Sequence, residues 1–116
     1  MLGSKTVLVV GTGTIGDWFC HVIDPTFWAL DLDAPSSVHA EVSNYDPVKH
    51  QLTYPPGTRV TFEFPAKGSR GPLKLVWHDG TTRIPKPEGF AADENPPGTG
   101  AVLFGQKGMI LHGSHG

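Results

Sequence analysis

Three residues that can exchange protons, Asp17, His21 and Asp24, follow one another at intervals of four and three positions. In a helix this spacing puts them within about 60° on one face, because successive residues turn by about 100°. An aspartate beside a histidine can hold the imidazole in one tautomer, ready for proton transfer near neutral pH. This chemistry suits the oxidation of an alcohol, with Asp17 and His21 as the candidate catalytic residues. The simpler alternative is a polar helix face that only meets solvent.

Apolar side chains in the same segment predict the helix that would carry these residues. They recur at intervals of three and four positions and form a core-facing stripe, comprising Ile15, Trp18, Phe19 and Val22. We therefore expect Asp17 and His21 to project together from the opposite side into a cleft. Pro25 predicts that the helix stops or kinks at Asp24, and residues 27–32 are expected to form a second short helix.

The rest of the chain has the period-two patterns of β-strands. Alternation of apolar and polar residues predicts strands with one buried face each at residues 38–42, 60–64 and 73–77. Residues 101–104 and 109–112 predict a hairpin, and the proline-rich residues 84–98 predict a surface loop. The expected fold is a single α+β domain with an N-terminal helix packed on a mostly antiparallel sheet.

Composition excludes several classes of function. The nine Lys and Arg residues are scattered and the net charge is −2, so we expect no nucleic-acid partner. The only cysteine is Cys20, so no disulfide can form within the chain and a reducing compartment is expected. No apolar run approaches the roughly 18 residues of a membrane span. These features predict a cytoplasmic protein without a membrane partner.

A glycine-rich hexad offers a second hypothesis. Gly11, Gly13 and Gly16 have the G-x-G-x-x-G spacing of a dinucleotide-binding loop and follow the apolar residues 7–10. Such a loop needs a strand-helix-strand unit within a wider parallel sheet, and this chain supplies at most one such unit. Binding of NAD(P) through these glycines therefore stays an alternative.

The six histidines suggest a third hypothesis, a small metal-dependent hydrolase of a lactone or ester. Its metal ligands would come from Asp17, His21, Asp24, His112 and His115. No H-E-x-x-H motif or similar pattern is present, so we predict no metal site.

Two tryptophans near the polar helix face are considered as sugar-binding residues. Trp18 and Trp28 are expected in the core, whereas a solvent-facing Trp28 would offer a platform for a sugar ring. Together with Asp24, Trp28 is therefore a candidate substrate-binding residue.

The ordered motifs resemble one known family. The resemblance extends over roughly residues 11–116. The motifs that carry it are residues 11–17 (GTGTIGD), 20–25 (CHVIDP), 27–30 (FWAL), 54–58 (YPPGT), 62–66 (FEFPA), 73–80 (LKLVWHDG), 85–90 (PKPEGF) and 98–113. In this order they resemble the C-terminal region of the glucose-fructose oxidoreductase, inositol dehydrogenase and MocA family, most closely its bacterial, planctomycete-like branch. Residues 1–10 do not resemble the family and are expected to be an extension, with residues 11–116 forming a partial C-terminal-like domain.

The resemblance implies a substrate-binding and assembly domain of an NAD(P)-dependent sugar or polyol oxidoreductase. In the family, an Asp and a His on this helix face nicotinamide and substrate, and Asp17 and His21 occupy the matching positions. A Lys of the family's nucleotide domain completes the set, and no residue here matches it. The chain is therefore expected neither to bind NAD(P) tightly nor to transfer hydride alone. The family also uses this antiparallel sheet for subunit packing, which implies a homo-oligomer.

Overall fold

Two short helices precede five strands in the part of the chain that the structure, a computed structural model, describes, namely residues 13–96 and 98–113. The elements are α1 (Gly13–Asp17), α2 (Phe19–Ala29), β1 (Ser37–Ser43), β2 (Gly57–Phe64), β3 (Leu73–His78), β4 (Gly100–Gly105) and β5 (Gly108–Gly113). This is the α+β fold expected from the sequence. The expected extension at residues 1–10 lies outside the described residues.

The three strands β1, β2 and β3 form an antiparallel sheet with β2 in the centre. Val38 lies opposite Phe62, and Phe62 lies opposite Leu75. Because directly opposed residues share a face, the apolar side chains of all three strands line one side of the sheet. The polar side chains His39 and Glu41 of β1 lie on the other side.

Helix α2 covers this apolar face through its first turns. The ring of Phe19 stacks on that of Phe62 with 5.4 Å between the ring centroids, and it meets Trp77 edge-on at 5.1 Å. These are favourable geometries for aromatic pairs. Among the described residues, the buried apolar core consists of Val22, Leu32, Val60 and Phe64.

Of the stop or kink expected at Asp24, the stop is wrong. Pro25 lies inside α2, which continues to Ala29, so residues 27–29 of the expected second helix belong to α2 and residues 30–32 follow its end. Proline removes the backbone hydrogen bond to the carbonyl four residues earlier. Burial of Val22 and Thr26, on either side of Pro25, holds the helix on the core across this gap. The actual interruption lies at Trp18, between α1 and α2.

Strand β1 forms as expected, but its apolar side is not buried. Val38 and Val42 are 56% and 54% exposed, whereas Val60 on the neighbouring strand is 6% exposed. The rings of Phe19, Phe62 and Trp77 meet over β2 and β3. The expected single buried face is therefore present on β2 and absent on β1.

The predicted hairpin and loop are confirmed. Strands β4 and β5 pair antiparallel from Gly100 opposite Gly113 to Gly105 opposite Gly108, which leaves a two-residue connection. The hairpin contacts α2 through His112 and Thr26. Residues 84–96 contain no helix or strand and are mostly exposed, while Pro97 lies outside the described residues.

Candidate functional site

The exposed face of α2 carries a row formed by His21, Asp24 and Trp28, which we call the α2 row. All three side chains are exposed, and their spacing of three and four positions places them within about 60° of arc on the helix. Trp28 is the most open of the three, with 89% of its surface exposed. The row therefore joins an imidazole, a carboxylate and an indole on one solvent-facing stripe.

The opposite side of the same helix supplies its packing. Val22 and Thr26 are buried at 5% and 6% exposure, and Phe19 packs against the rings of the sheet. Because these residues anchor α2 on the core, the α2 row is held outward by a fixed helix. The expectation of a polar face opposite an apolar stripe is thus confirmed for α2.

Asp17 and His21 do not form a hydrogen-bonded pair. Asp17 ends α1, and the interruption at Trp18 separates it from the helix that carries His21. The imidazole instead meets the ring of Trp18 edge-on at 5.6 Å between centroids. The recorded contact of Asp17 is through its backbone carbonyl, which lies 3.7 Å from the Cys20 sulfur. The interruption is slight, because Trp18 keeps helical backbone angles, with φ of −107° and ψ of −30°, and its N–H donates to the Thr14 carbonyl at 2.8 Å.

The expected core positions of the tryptophans are also corrected. Trp28 lies in solvent, and Trp18 is 39% exposed. The residues on the core side of α2 are Val22 and Thr26, which lie on the opposite side of the helix from Trp28. Because Trp28 faces solvent, its indole ring is available as a flat apolar platform.

The two cavities that the structure records lie away from the α2 row. The larger, of about 330 Å³, is an open groove lined by Ser36, Glu63, Phe64, Pro65, Pro72, Leu73 and Lys74. The smaller, of about 120 Å³, is lined by Asp33, Ala34, Phe64, Pro65, Ala66, Lys67 and Arg70. Neither includes Asp17 or His21, and both residues are exposed. Neither cavity is therefore the cleft expected around Asp17 and His21.

The glycines of the hexad have a local structural role where the structure describes them. Gly13 begins α1 with a φ of +72°, and a Cβ at this position would lie 3.0 Å from the ring of Tyr54. Glycine alone meets both conditions without strain. Gly16 lies within α1, a helix of five residues, and Gly11 lies outside the described residues.

Asp79 organises a polar cluster just after β3. Its carboxylate accepts hydrogen bonds from the Thr58 backbone N–H at 2.7 Å, the Thr58 hydroxyl at 2.6 Å and the indole N–H of Trp77 at 2.7 Å. The Thr82 hydroxyl lies 2.7 Å from the carbonyl of Thr58. All these bonds fix the turn after β3 to the start of β2, so the cluster is structural.

A charged cluster connects the residues after α2 to the loop after β2. The Lys67 ammonium lies 2.9 Å from a carboxylate oxygen of Asp31 and 2.9 Å from one of Asp33. The hydrogen bonds that the Lys67 ammonium donates to these two carboxylates raise its pKa above the ordinary value. The carboxylates of Asp31 and Asp33, which could otherwise contact a ribose as the acidic residue after a dinucleotide loop does, are thus paired with Lys67.

The described residues support neither the dinucleotide-binding hypothesis nor the metal-dependent hydrolase hypothesis with a site. The sheets are antiparallel wherever strands are assigned in residues 13–96 and 98–113, whereas a dinucleotide loop belongs to a parallel sheet. Within the same residues, no group of three or more His, Cys, Asp or Glu side chains could hold a metal ion. His115 lies outside them.

Comparison with known proteins adds no relative. No protein-family model matches the chain, and no curated protein or solved structure matches it. No helix in the described part of the chain has the length and apolar character needed to cross a membrane.

Proposed function

We propose that this chain is a sugar- or polyol-binding and assembly domain related to NAD(P)-dependent oxidoreductases. The observation that carries the proposal is the α2 row, in which a fully open indole lies beside a carboxylate and an imidazole on a helix anchored by its other face. The order of motifs along residues 11–113 supports the same class.

The chemistry of the row suits a polyhydroxylated ring. The flat indole face of Trp28 can pack against the C–H groups of a sugar or cyclitol, because large amphipathic aromatics combine apolar area with low conformational cost. The carboxylate of Asp24, one turn earlier, can accept hydrogen bonds from hydroxyl groups. The imidazole of His21 can donate one and accept another, depending on its tautomer.

Redox chemistry is a separate question from binding. Hydride transfer would require NAD(P), because the cofactor supplies that chemistry. The described residues do not fit this group, since their sheets are antiparallel and Asp31 and Asp33 are paired with Lys67. We therefore derive no hydride step and assign His21, with Asp24, to the binding of substrate hydroxyls. Calorimetric titration with NADH and NADPH is expected to show no tight binding to the isolated chain.

The binding proposal is tested by NMR titration of the labelled protein with D-glucose and myo-inositol. The indole N–H signal of Trp28 and the amide signals of residues 21–28 are expected to shift together. The Trp28→Ala and His21→Ala variants should each weaken the interaction. Phe104→Ala removes another open aromatic, 70% exposed, and is the matched control. Equal effects of all three variants, or no shift with either ligand, would contradict the proposal.

The assembly part predicts a homo-oligomer through the sheet. Val38 and Val42 on β1, together with Phe104 and Ile110 on the hairpin, are each more than half exposed. Apolar sheet faces of this kind are normally covered in a folded protein. Light scattering after size exclusion, over a wide range of concentrations, measures the oligomeric state.

A further inference from the structure

The outer edge of β1 is an unpaired strand edge. β1 comes first in the order β1-β2-β3, so in the described sheet no strand neighbours the side of β1 away from β2. All seven residues of Ser37–Ser43 are in regular register with β2. An edge strand that is regular, without proline, and flanked by exposed apolar side chains pairs readily with another chain.

The sequence of β1 is complementary to itself when read backwards. Residues 37–43 read S-V-H-A-E-V-S, so reversal exchanges serine with serine, valine with valine, and histidine with glutamate around Ala40. In an antiparallel pair of two copies centred on Ala40, Val38 would face Val42 and His39 would face Glu41. A twofold axis through Ala40 repeats every contact, as a symmetric dimer interface requires.

The facing side chains suit each other chemically. Directly opposed residues in an antiparallel pair have Cβ atoms about 4.5–5.5 Å apart, close enough for opposite charges to attract. An imidazole N–H of His39 can donate to the carboxylate of Glu41 in the second copy. Within one chain, Arg59 lies 3.3 Å from the Oε2 oxygen of Glu41, which leaves Oε1 to accept that bond. The valines on the other face would extend the apolar surface across the axis.

We propose that two copies of this chain pair antiparallel along β1, centred on Ala40, and so form one continuous six-stranded sheet. The inference rests on the assembly part of the proposed function and names its surface, whereas sugar binding is independent of it. The opposite edge of the sheet does not suit the same pairing. A pairing of two β3 strands centred on Val76 would place Lys74 against His78, and one centred on Leu75 would place Lys74 against Val76.

Charge variants test the pairing. In His39→Glu two glutamates would face each other on both sides of the axis, and in Glu41→His two histidines would do so. His39→Glu alone is expected to dimerise at least about tenfold more weakly than the parent chain, because two carboxylates in register repel. Glu41→His alone is expected to dimerise more weakly because it removes the carboxylate that accepts from the His39 imidazole. An equimolar mixture restores both opposite-charge contacts and should form the heterodimer. Sedimentation or native mass spectrometry measures each state, and the heterodimer itself demonstrates that both variants fold.

A disulfide test fixes the register. Ala40→Cys in a Cys20→Ser background places two sulfurs on the axis, with Cα atoms about 4.5–5.5 Å apart, within the range of a disulfide. Ser37→Cys in the same background is the control, since the two copies of residue 37 would be about 20 Å apart. Mild oxidation should give a covalent dimer only with Ala40→Cys.

Two results would overturn the proposal. The interface would have to be a different one if His39→Glu dimerised as strongly as the parent chain and both cysteine variants formed the covalent dimer equally. The assembly part of the proposed function would then be retained. A monomeric parent chain at all concentrations would remove both the interface and the assembly part of the proposed function. Sugar binding, measured by the Trp28 titration, is unaffected by either result.

Discussion

The hydroxyl of Thr26 on α2 lies 3.1 Å from the Nε2 nitrogen of His112 on β5, a contact that spans 86 positions of the chain. The Nδ1 nitrogen of His112 lies 2.8 Å from the carbonyl of Gly113. Because a carbonyl only accepts, Nδ1 carries the proton, and in the neutral ring Nε2 accepts a hydrogen bond from Thr26. This bond joins the buried side of the helix to the hairpin.

Replacement of Thr26 by Val should therefore loosen the hairpin. The variant keeps the size of a 6% exposed side chain but removes the hydroxyl, at a cost of about 0.5–1.5 kcal/mol in the free energy of unfolding. Since an isolated two-stranded hairpin is marginal in water, amide exchange in β4 and β5 should accelerate more than in β2. Thr99→Val, at an exposed loop position, is the control and should change neither. Unchanged exchange in Thr26→Val would show that the bond does not hold the hairpin.

The Asp79 cluster predicts a larger loss of stability. Asp79→Asn replaces one carboxylate oxygen by an N–H₂ group, which cannot accept from the Thr58 hydroxyl or the Trp77 indole. We expect a loss of about 1–3 kcal/mol in urea unfolding, because half-buried donors lose their acceptor. Asp93→Asn, in an exposed loop, makes the same chemical change away from the cluster. Similar stabilities of the two variants would contradict the structural role of Asp79.

Local patterns predicted the elements of this fold well, but not what covers them. Alternation at Val38, Ala40 and Val42 was enough to predict β1, because side-chain period depends on backbone geometry alone. Burial depends on where the helix lies, and the rings that Phe19 contacts belong to β2 and β3. Pro25 shows the same limit, since a local rule predicted a helix end that packing of Val22 and Thr26 overrides.

The candidate site was likewise predicted only in part. Spacing correctly placed His21 and Asp24 on the solvent side of a helix, because the period of 3.6 residues fixes helix faces. It could not predict the interruption at Trp18 or the edge-on contact of His21 with the Trp18 ring. The Asp79 cluster was missed because Thr58, its main partner, lies 21 positions away. Only the Asp79-Gly80 turn signal and the threonines after it pointed to this part of the chain.

Stability is expected to fall in acid because of His78. Burial and the nearby positive charge of Arg59 lower the pKa of His78 below its ordinary value of 6.5, while Asp79 opposes the shift. The folded state therefore favours the neutral ring. This contribution to stability is complete above about pH 6.5 and declines as the pH falls towards the lowered pKa, because the unfolded chain takes up the proton first.

Two measurements check this expectation. An NMR titration should place the His78 midpoint below 6.5, and urea unfolding of His78→Gln should show a weaker decrease in stability between about pH 7 and pH 5 than the parent chain. Within the described part of the chain, the Nδ1 nitrogen of His78 is buried without a hydrogen-bond partner, so the neutral variant need not lose a bond there. An equal decrease in both proteins would assign the acid sensitivity to other groups.

Two glycines with the same backbone conformation should respond very differently to alanine. Gly80 and Gly68 have φ angles of +57° and +58°. A Cβ at Gly80 would collide with the backbone carbonyl of Pro56, whereas no atom of residues 13–96 and 98–113 lies within 4 Å of a Cβ at Gly68. Gly68→Ala should therefore cost only the left-handed conformation, about 1–2 kcal/mol.

Gly80→Ala adds a clash with main-chain atoms that cannot rotate away. The carbonyl of Pro56 also accepts the backbone hydrogen bond of Thr81, so a shift there breaks the junction between the start of β2 and the turn after β3. We expect a loss of more than about 3 kcal/mol, near the upper end for single substitutions. Thermal and urea unfolding of the two variants measure the difference. Equal losses would show that the turn moves freely and that the close approach of Gly80 to Pro56 does not hold the sheet.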